Sequence, residues 1–497
     1  MSDFVAFLLF GGALLLAVGV GEGLRAWAKW RPESSRRAVH SLAGLLVVFA
    51  VPLFSRPTWI YVLGVTFVGV NLIATRRGIF PGMHGIVRKS WGTVTFPLAL
   101  IFALFTCWTL DPDRVYILQI AFLVPAISDP LASILGTRLK NPHSFVIAGN
   151  TKSVAGTAAF VASAFVLTTG GLLLMAPNSF GLEEILIAAL IVALVAGAAE
   201  MLGGAGWDNL AIVVAVIVLL TAIQTHVSSP TALFGALLFA GAFGALSYKA
   251  NFLALSGVVA ASLLAFGIVG LGGLPWMLPG FTFFLLSSVL STLGKRRKQQ
   301  AEEIAEKTSR RDLGQVLANG GVAAMLLIAH VLMPHPELYW GFVGSFAAAA
   351  ADTWGTEIGT FFRWPTRQIV TFRKVEPGES GGISVPGTLG AVLGATAVLM
   401  SAMLFATNFP IHADAWQIAL LVIGAGFLAS LFDSILGATL QGRYLDLDGR
   451  VTERRSENGR PHQLVQGFRW MTNDRVNLAC TFVGALIPIA YLIVRTT

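Results

Sequence analysis

The chain has 497 residues, 55% of them hydrophobic and only 12% charged, with a positive mean hydropathy. Soluble domains carry about one-quarter charged residues, so this composition excludes a soluble globular enzyme, a disordered chain and a nucleic-acid binder. It fits an integral membrane protein with many crossings. The net charge of +8 sums 34 Lys and Arg against 26 Asp and Glu, but in a membrane protein their placement matters more than their total.

The first residues, MSDFVAFLLFGGALLLAVGVGEGLRAW, lack the basic n-region and small-residue cleavage site of a signal peptide and read as a retained first span. Apolar stretches lie near 4–21, 38–54, 59–74, 93–109, 115–127, 154–175, 182–202 and 209–224. A second series lies near 231–247, 252–270, 275–292, 315–333, 338–351, 384–405, 416–438 and 476–494. Some fall short of the roughly 20 residues of a full span, so the expected architecture is all-α, a polytopic integral membrane protein of about 14–16 transmembrane helices. The short stretches 115–127 and 338–351 both end at acidic motifs and are expected to be broken helices lining a cavity. Cys107 and Cys480 sit far apart in apolar segments, so neither a disulfide nor a thiolate metal site is expected.

Alternating the loops places every Lys and Arg except Arg56, Arg114 and Arg495 on one side. The positive-inside rule makes that side cytoplasmic and puts both termini outside, as in a prokaryotic plasma membrane. The same face holds SSRRAVH, GMHGIVRKSWGT, SDPLASILG, TKSVAGT, GWDN, SYKAN, DTWGTEIG, RKVEPGESGGIS, QGRYLDLD and TNDRVN. A transporter would spread polar residues toward the bilayer midplane. Gathering them at one surface suits a water-soluble reagent meeting a membrane-held substrate.

The motifs fall into two sets, dividing the chain into 1–227 and 228–497 near THVSSP. In the first set Asp129 stands where a span reaches the cytoplasm, followed by Pro130, which cannot continue the helix ladder. Lys152, Ser153, Gly156 and Thr157 then enter the next span. One carboxylate with substrate phosphates suits Mg²⁺, and free N–H groups at a helix start suit phosphate oxygens. This is no Walker A loop, and an interfacial loop with a snorkelling lysine has the same residues. Glu200 ends a span without a local basic partner, and Asp208–Asn209 open the next, where Asp208 also reads as an N-cap. His40 reads as a core histidine; Arg36, Arg37, Arg88 and Lys89 read as charge anchors. Together they bring cations to the same face.

In the second set Asp352 and Glu357 are five residues apart, well over 100° around an ideal helix. A break at Gly355 is therefore expected, bringing both to one ion. Arg373, Lys374 and GESGGISVPGT (378–388), with Ser380, Gly381, Gly382 and Ser384, suit a phosphate concavity. Lys249, Asp433, Asn473, Asp474 and Asn477 complete the set. ISDPLASILG (127–136) resembles LFDSILGA (431–438), and GWDNLAI (206–212) echoes TNDRVNLA (472–479). Such matches also arise by chance in helical bundles.

On Arg36-Arg37-x-x-His40, RKSWGTVTFP (88–97), Asp129 with Ala132 and Gly136, Lys152-Ser153-x-x-Gly156-Thr157, Glu200 and Asp208-Asn209, residues 20–225 resemble the dolichol kinase and phytol kinase family of CTP-dependent polyprenol kinases. That family has Gly and Glu where Ser128 and Ala155 stand here. Residues 235–497 resemble the membrane family that includes plant phytyl-phosphate kinase, at SYKAN, SRRDLGQVLANGG, ADTWGTEIG, GESGGISVPGT, FDSILGATLQ and TNDRVN. The resemblances imply that an isoprenoid alcohol such as phytol or geranylgeraniol becomes a monophosphate in the first half and a diphosphate in the second, with CTP as donor. They imply Mg²⁺ on Asp129 with Glu200 or Asp208, and on Asp352, Glu357 and Asp433, with Lys152, Arg373 and Lys374 on phosphates. Alternatives are a CTP-dependent lipid cytidylyltransferase, which releases pyrophosphate, and a lipid transporter or flippase.

Overall fold

The computed structural model describes residues 1–27, 29–30, 32–77, 90–139, 143–176, 179–293, 310–362, 364–411, 413–446, 448–457 and 460–496. They form two compact units, Met1–Leu237 and Leu238–Thr497. Thirteen stretches among the described residues are long and apolar enough to cross a membrane, and the protein is a multi-pass, all-α membrane protein.

The first unit is built from α1 (Asp3–Trp27), α2 (Pro32–Ala50), α3 (Thr58–Arg77), α4 (Gly92–Leu104), α5 (Val115–Arg138), a β-hairpin, α6 (Val154–Met175), α7 (Leu182–Leu202) and α8 (Asp208–Gln224). The hairpin pairs β1 (Ser144–Ile147) with β2 (Asn150–Ser153), antiparallel. Helix α5 is central, packing on α2, α6 and α8. It carries Pro125 and Pro130 yet runs unbroken, which corrects the expected break at residue 127. A proline removes one N–H, and a helix buried in a bundle tolerates the freed carbonyl.

The next helix, α9 (Pro230–Lys249), contains the division between units. The second unit continues with α10 (Leu255–Gly267), α11 (Gly273–Thr292), α12 (Leu313–Leu332), α13 (Pro336–Phe362), α14 (Val385–Met403), α15 (Ala415–Thr439) and α16 (Asn473–Thr496). A π turn and Gly273, at φ +68, join α10 to α11; that left-handed φ favours glycine. Helix α13 is the core: every residue from Tyr339 to Ala351 is buried, against α11, α12, α14, α15 and α16. It too is continuous through Gly355, so the expected turn there does not exist. Gly355 serves packing instead. A Cβ on it would lie 3.3 Å from the Gly387 carbonyl, at a small-residue seam between α13 and α14.

Small sheets fill the loops of the second unit. One has the order β4 (Lys374–Val375), β3 (Thr366–Gln368), β5 (Gly382–Ile383); another has β10 (Gln463–Gln466), β6 (Arg443–Leu445), β7 (Val451–Thr452). A third pairs β8 (Ser456–Glu457) with β9 (Arg460–Pro461). Cys107 and Cys480 are free and buried, without a disulfide.

Candidate active sites

In the first unit, the C-terminal ends of α5 and α7 meet the N-terminal ends of α6 and α8 around a cavity of about 550 Å³. Asp129, Lys152, Ser153, Gly156, Thr157, Glu200 and Asp208 all line it. Ser153 caps α6, its Oγ accepting from Gly156 N at 3.1 Å. This helix start lines the cavity, and the N-terminal end of a helix favours an anion. Glu200, buried, has the partner its neighbourhood in sequence lacks: Lys152 Nζ ion-pairs with its carboxylate and donates to its carbonyl oxygen at 3.0 Å. The pairing offsets part of the cost of burying Glu200 and holds Lys152 in the cavity wall. Asp208 is the first residue of α8, not its cap, and its Oδ1 accepts from Asn209 N at 3.1 Å. Its charge and those of Asp129, Glu200 and Lys152 lie close enough to act on one another.

The other candidates of this unit stand aside from the cavity. Asn209 donates from Nδ2 to the Gly92 carbonyl at 3.1 Å and ties α8 to α4. His40 bonds the Pro125 carbonyl and stands edge-on to Phe96 at 5.5 Å, near Asp129, in the manner of a core histidine. Arg88 and Lys89 lie outside the described residues. Arg36 does line the cavity. So does the loop of Gly203, Gly204, Ala205 and Gly206, in which Gly206 sits at φ +90 and accepts from Thr95 Oγ1 at 2.5 Å. A substituent there would meet Gly92, so the backbone conformation and the close approach both demand glycine.

The second unit encloses a cavity of about 350 Å³ lined by Asp352, Glu357, Ser380, Gly381, Gly382, Ser384, Asp433, Asn473, Asp474 and Asn477. The Asp352 and Asp433 carboxylates are within hydrogen-bond reach of each other, and Asp433 Oδ1 has no partner among the described residues. Two carboxylates so placed in a poorly solvated site need a proton or a cation between them. Glu357 reaches the cavity from another part of the α13 surface and faces Arg311. Burial pushes the Arg311 guanidinium down to about 10 and the Glu357 charge opposes this, so it stays protonated at neutral pH. Ser384 caps α14, accepting from Gly387 N at 3.3 Å.

Residues that sequence alone did not single out hold this second site together. Arg443 pairs with Glu379 at 2.6 Å and donates to the Ser380 carbonyl, while the buried Glu453 accepts from the Ser380 hydroxyl. The 378–384 loop is thus pinned by the β6–β7 sheet. Arg373 and Lys374 lie exposed on the β3–β4 hairpin and Lys249 is exposed at the end of α9; none lines the cavity. Only charge pointed to them, and charge without burial does not distinguish a ligand-binding cation from a solvated one.

Both units use one local frame. Ser153-Val154-Ala155-Gly156-Thr157 and Ser384-Val385-Pro386-Gly387-Thr388 each follow a short strand and cap a helix. A Cβ on Gly156 would lie 2.9 Å from the Ala132 carbonyl, and one on Gly387 2.8 Å from the Gly355 carbonyl. Each glycine also faces another, Gly136 or Gly359, seven residues after the acid, Asp129 or Asp352. By this frame 127–136 corresponds to 350–359, not to 431–438, which lies on the helix after the capped one. The match of 206–212 with 472–479 agrees with it, since both open the next helix.

Among the described residues no group of three His, Cys, Asp or Glu forms a preformed metal cage. Mg²⁺ commonly takes one or two carboxylates and completes its shell with substrate phosphates and water. The pairs Asp129 with Asp208 and Asp352 with Asp433 fit that donor set.

The profile of an integral membrane protein family, DUF92, matches residues 238–485. The chain is 30% identical over 263 residues to Protein PGR of Arabidopsis thaliana, covering 48% of this chain and 88% of that protein. It is 29% identical over 249 residues to Protein VTE6, chloroplastic, also of Arabidopsis thaliana, covering 48% and 64%. To Phytol kinase of Synechocystis sp. it is 30% identical over 182 residues, covering 36% and 75%. No solved structure matches. The chain belongs to the DUF92 family of integral membrane proteins.

Proposed function

We propose that the protein is a bifunctional isoprenoid kinase, converting a membrane-borne isoprenoid alcohol to its monophosphate in unit 1 and that monophosphate to the diphosphate in unit 2. One observation carries this reading: each unit sets a carboxylate pair beside a serine-capped helix start, in a cavity at the ends of its apolar helices. Phosphoryl transfer asks mainly for positioning and neutralisation of spreading negative charge, and these are the groups that supply it. The likeness to Phytol kinase supports the substrate class.

In the first step the alcohol oxygen forms a bond to the γ-phosphorus, the bond to the β–γ bridging oxygen breaks, and the nucleoside diphosphate leaves. Asp129 or Asp208 accepts the hydroxyl proton. Lys152, held by Glu200, and the first turn of α6 bear on the nucleotide phosphates. In the second step a phosphate oxygen of the lipid attacks instead. That oxygen is already anionic, so no base is required. Bound Mg²⁺, held by the aspartate pairs, would neutralise phosphate charge at both sites. CTP is the proposed donor, and the cavities face the cytoplasm in this reading, as the one-sided distribution of Lys and Arg suggests.

The test uses the purified full chain in phospholipid vesicles with Mg²⁺, γ-labelled CTP and geranylgeraniol. Label should enter the monophosphate and then the diphosphate; a lipid that never acquires label overturns the reading. Release of pyrophosphate would mark a cytidylyltransferase. Asp129→Asn should abolish use of the alcohol and spare use of the monophosphate, whereas Asp352→Asn should let monophosphate accumulate.

A further inference from the structure

Arg311, Gln315 and Asn319 line the polar cavity of the second unit and also a separate apolar chamber. Gln315 and Asn319, four residues apart, share one face of α12, and Arg311 stands just before the Asp312 cap of that helix. The chamber behind them is walled by Phe243, Leu264, Phe281, Phe283, Phe284 and Phe346. It is narrow, about 50 Å³, and has almost no polar surface. The three polar side chains therefore form a septum between a place for charge and a place for hydrocarbon.

Arg311 is held rigidly at that septum. Its N–H donates to the Phe252 carbonyl and its own carbonyl accepts from Ala254 N, both at 3.0 Å. Its guanidinium lies over the Phe283 and Phe284 rings at 5.6 Å each. Glu357 is near, yet the side-chain hydrogen bond found for Arg311 among the described residues is a long one, to Ser288 Oγ at 3.5 Å. A guanidinium has five donors in a fork that suits phosphate. One that lies over two rings and lines both a polar cavity and an apolar chamber suits an anion whose other end is apolar.

We propose that Arg311 seats the phosphate of the lipid acceptor in the second unit, with the phenylalanine chamber taking the first carbons of its isoprenyl chain. This inference rests on the reading of unit 2 as an isoprenyl-monophosphate kinase and names the residue that recognises its substrate. An acceptor that is already phosphorylated brings negative charge that the first unit's alcohol lacks, and it needs a cation beyond those serving the nucleotide. Arg311 is placed for that charge because it alone joins the two compartments as a cation among the described residues.

The test is equilibrium binding of radiolabelled geranylgeranyl monophosphate to the full-length protein in detergent, without nucleotide, so that it reads independently of catalysis. Arg311→Met should weaken binding by about 10- to 100-fold, the range of a lost charge-assisted contact. Arg311→Lys should recover part of the loss, because charge survives and the fork does not. An independent arm fills the chamber with Leu264→Trp, which should weaken the long-chain ligand at least about tenfold. In the kinase assay Arg311→Met should raise KM for the lipid monophosphate much more than KM for CTP. Wild-type binding by both folded variants would overturn the assignment. So would an inert wild-type protein, or equal competition by phosphatidic acid. Should the wild-type chain bind geranylgeranyl monophosphate through Arg311 and yet transfer no phosphate, the kinase reading falls while this one stands.

Discussion

The Lys152–Glu200 pair offers the most quantitative test of how the first unit is held. Glu200 is 6% exposed, and its carboxylate meets Lys152 Nζ across 48 residues of sequence. Lys152→Met leaves that carboxylate buried with no counter-charge, which costs about 3–5 kcal/mol in buried pairs. Glu200→Gln is milder. It keeps an acceptor of the same shape and leaves Lys152 its 3.0 Å bond to the residue-200 carbonyl, so the cost is about 1–2 kcal/mol. In the double variant Lys152→Met with Glu200→Gln, no charge is left stranded, and the total loss should be no more than about 1–2 kcal/mol. The expected coupling between the two positions is thus at least about 2 kcal/mol. Reversible SDS titration in mixed micelles measures it. A double variant whose loss equals the two single losses added together would show that the pair is not coupled. Activity separates from stability here: the rescued double variant should still fail to phosphorylate the alcohol, having lost the lysine that faces the cavity.

Two further predictions address the shared frame and its anchors. Gly156→Ala and Gly387→Ala each force a Cβ to within 3 Å of a carbonyl on the neighbouring helix; each should cost about 1–3 kcal/mol and impair only its own step, with unchanged melting temperatures arguing against the close approach. Arg443→Met removes the Glu379 ion pair and the bond to the Ser380 carbonyl; it should raise KM for CTP in the second step about tenfold and open the 376–384 loop to limited proteolysis, and an unchanged KM would show that the loop holds no nucleotide.

Hydropathy made the helices legible because lipid leaves a spanning chain almost no choice of conformation. The acids were legible for the same reason: each interrupts an apolar run where nothing local explains it. Breaks were the misreading. Pro130 and Gly355 look like helix ends in a soluble sequence, but α5 and α13 pass through both. In α13 the glycine admits α14 closely instead of bending the chain. The anchoring residues were hidden for a different reason. Arg443 lies 64 residues from Glu379, and Glu453 lies 73 from Ser380, across loops with no periodicity. Their pairing depends on small sheets whose strands are only two to four residues long. Arg373 and Lys374 were legible only as charge: a basic dipeptide beside a glycine-rich loop suggests phosphate, and both stand exposed, outside the lining of the cavity.

The two serine-capped frames differ at one neighbouring position, and that difference organises the rest. The residue before the capping serine is Lys152 in the first unit and Ile383 in the second. Lys152 neutralises Glu200, so one acid of the first cavity is balanced from within the chain. With isoleucine in that place, the second cavity has no cation at the same point, and two of its acids, Asp352 and Asp433, face each other. The cation that lines the second cavity among the described residues is Arg311, which stands just before α12. A substrate that arrives neutral needs its charge balance near the nucleotide, where Lys152 stands. A substrate that arrives as a phosphate needs a cation at its own end of the site, away from the nucleotide cradle. In the proposed reading, moving the cation from the strand beside the serine cap to the mouth of an apolar chamber is what would separate a site for an alcohol from a site for its phosphate.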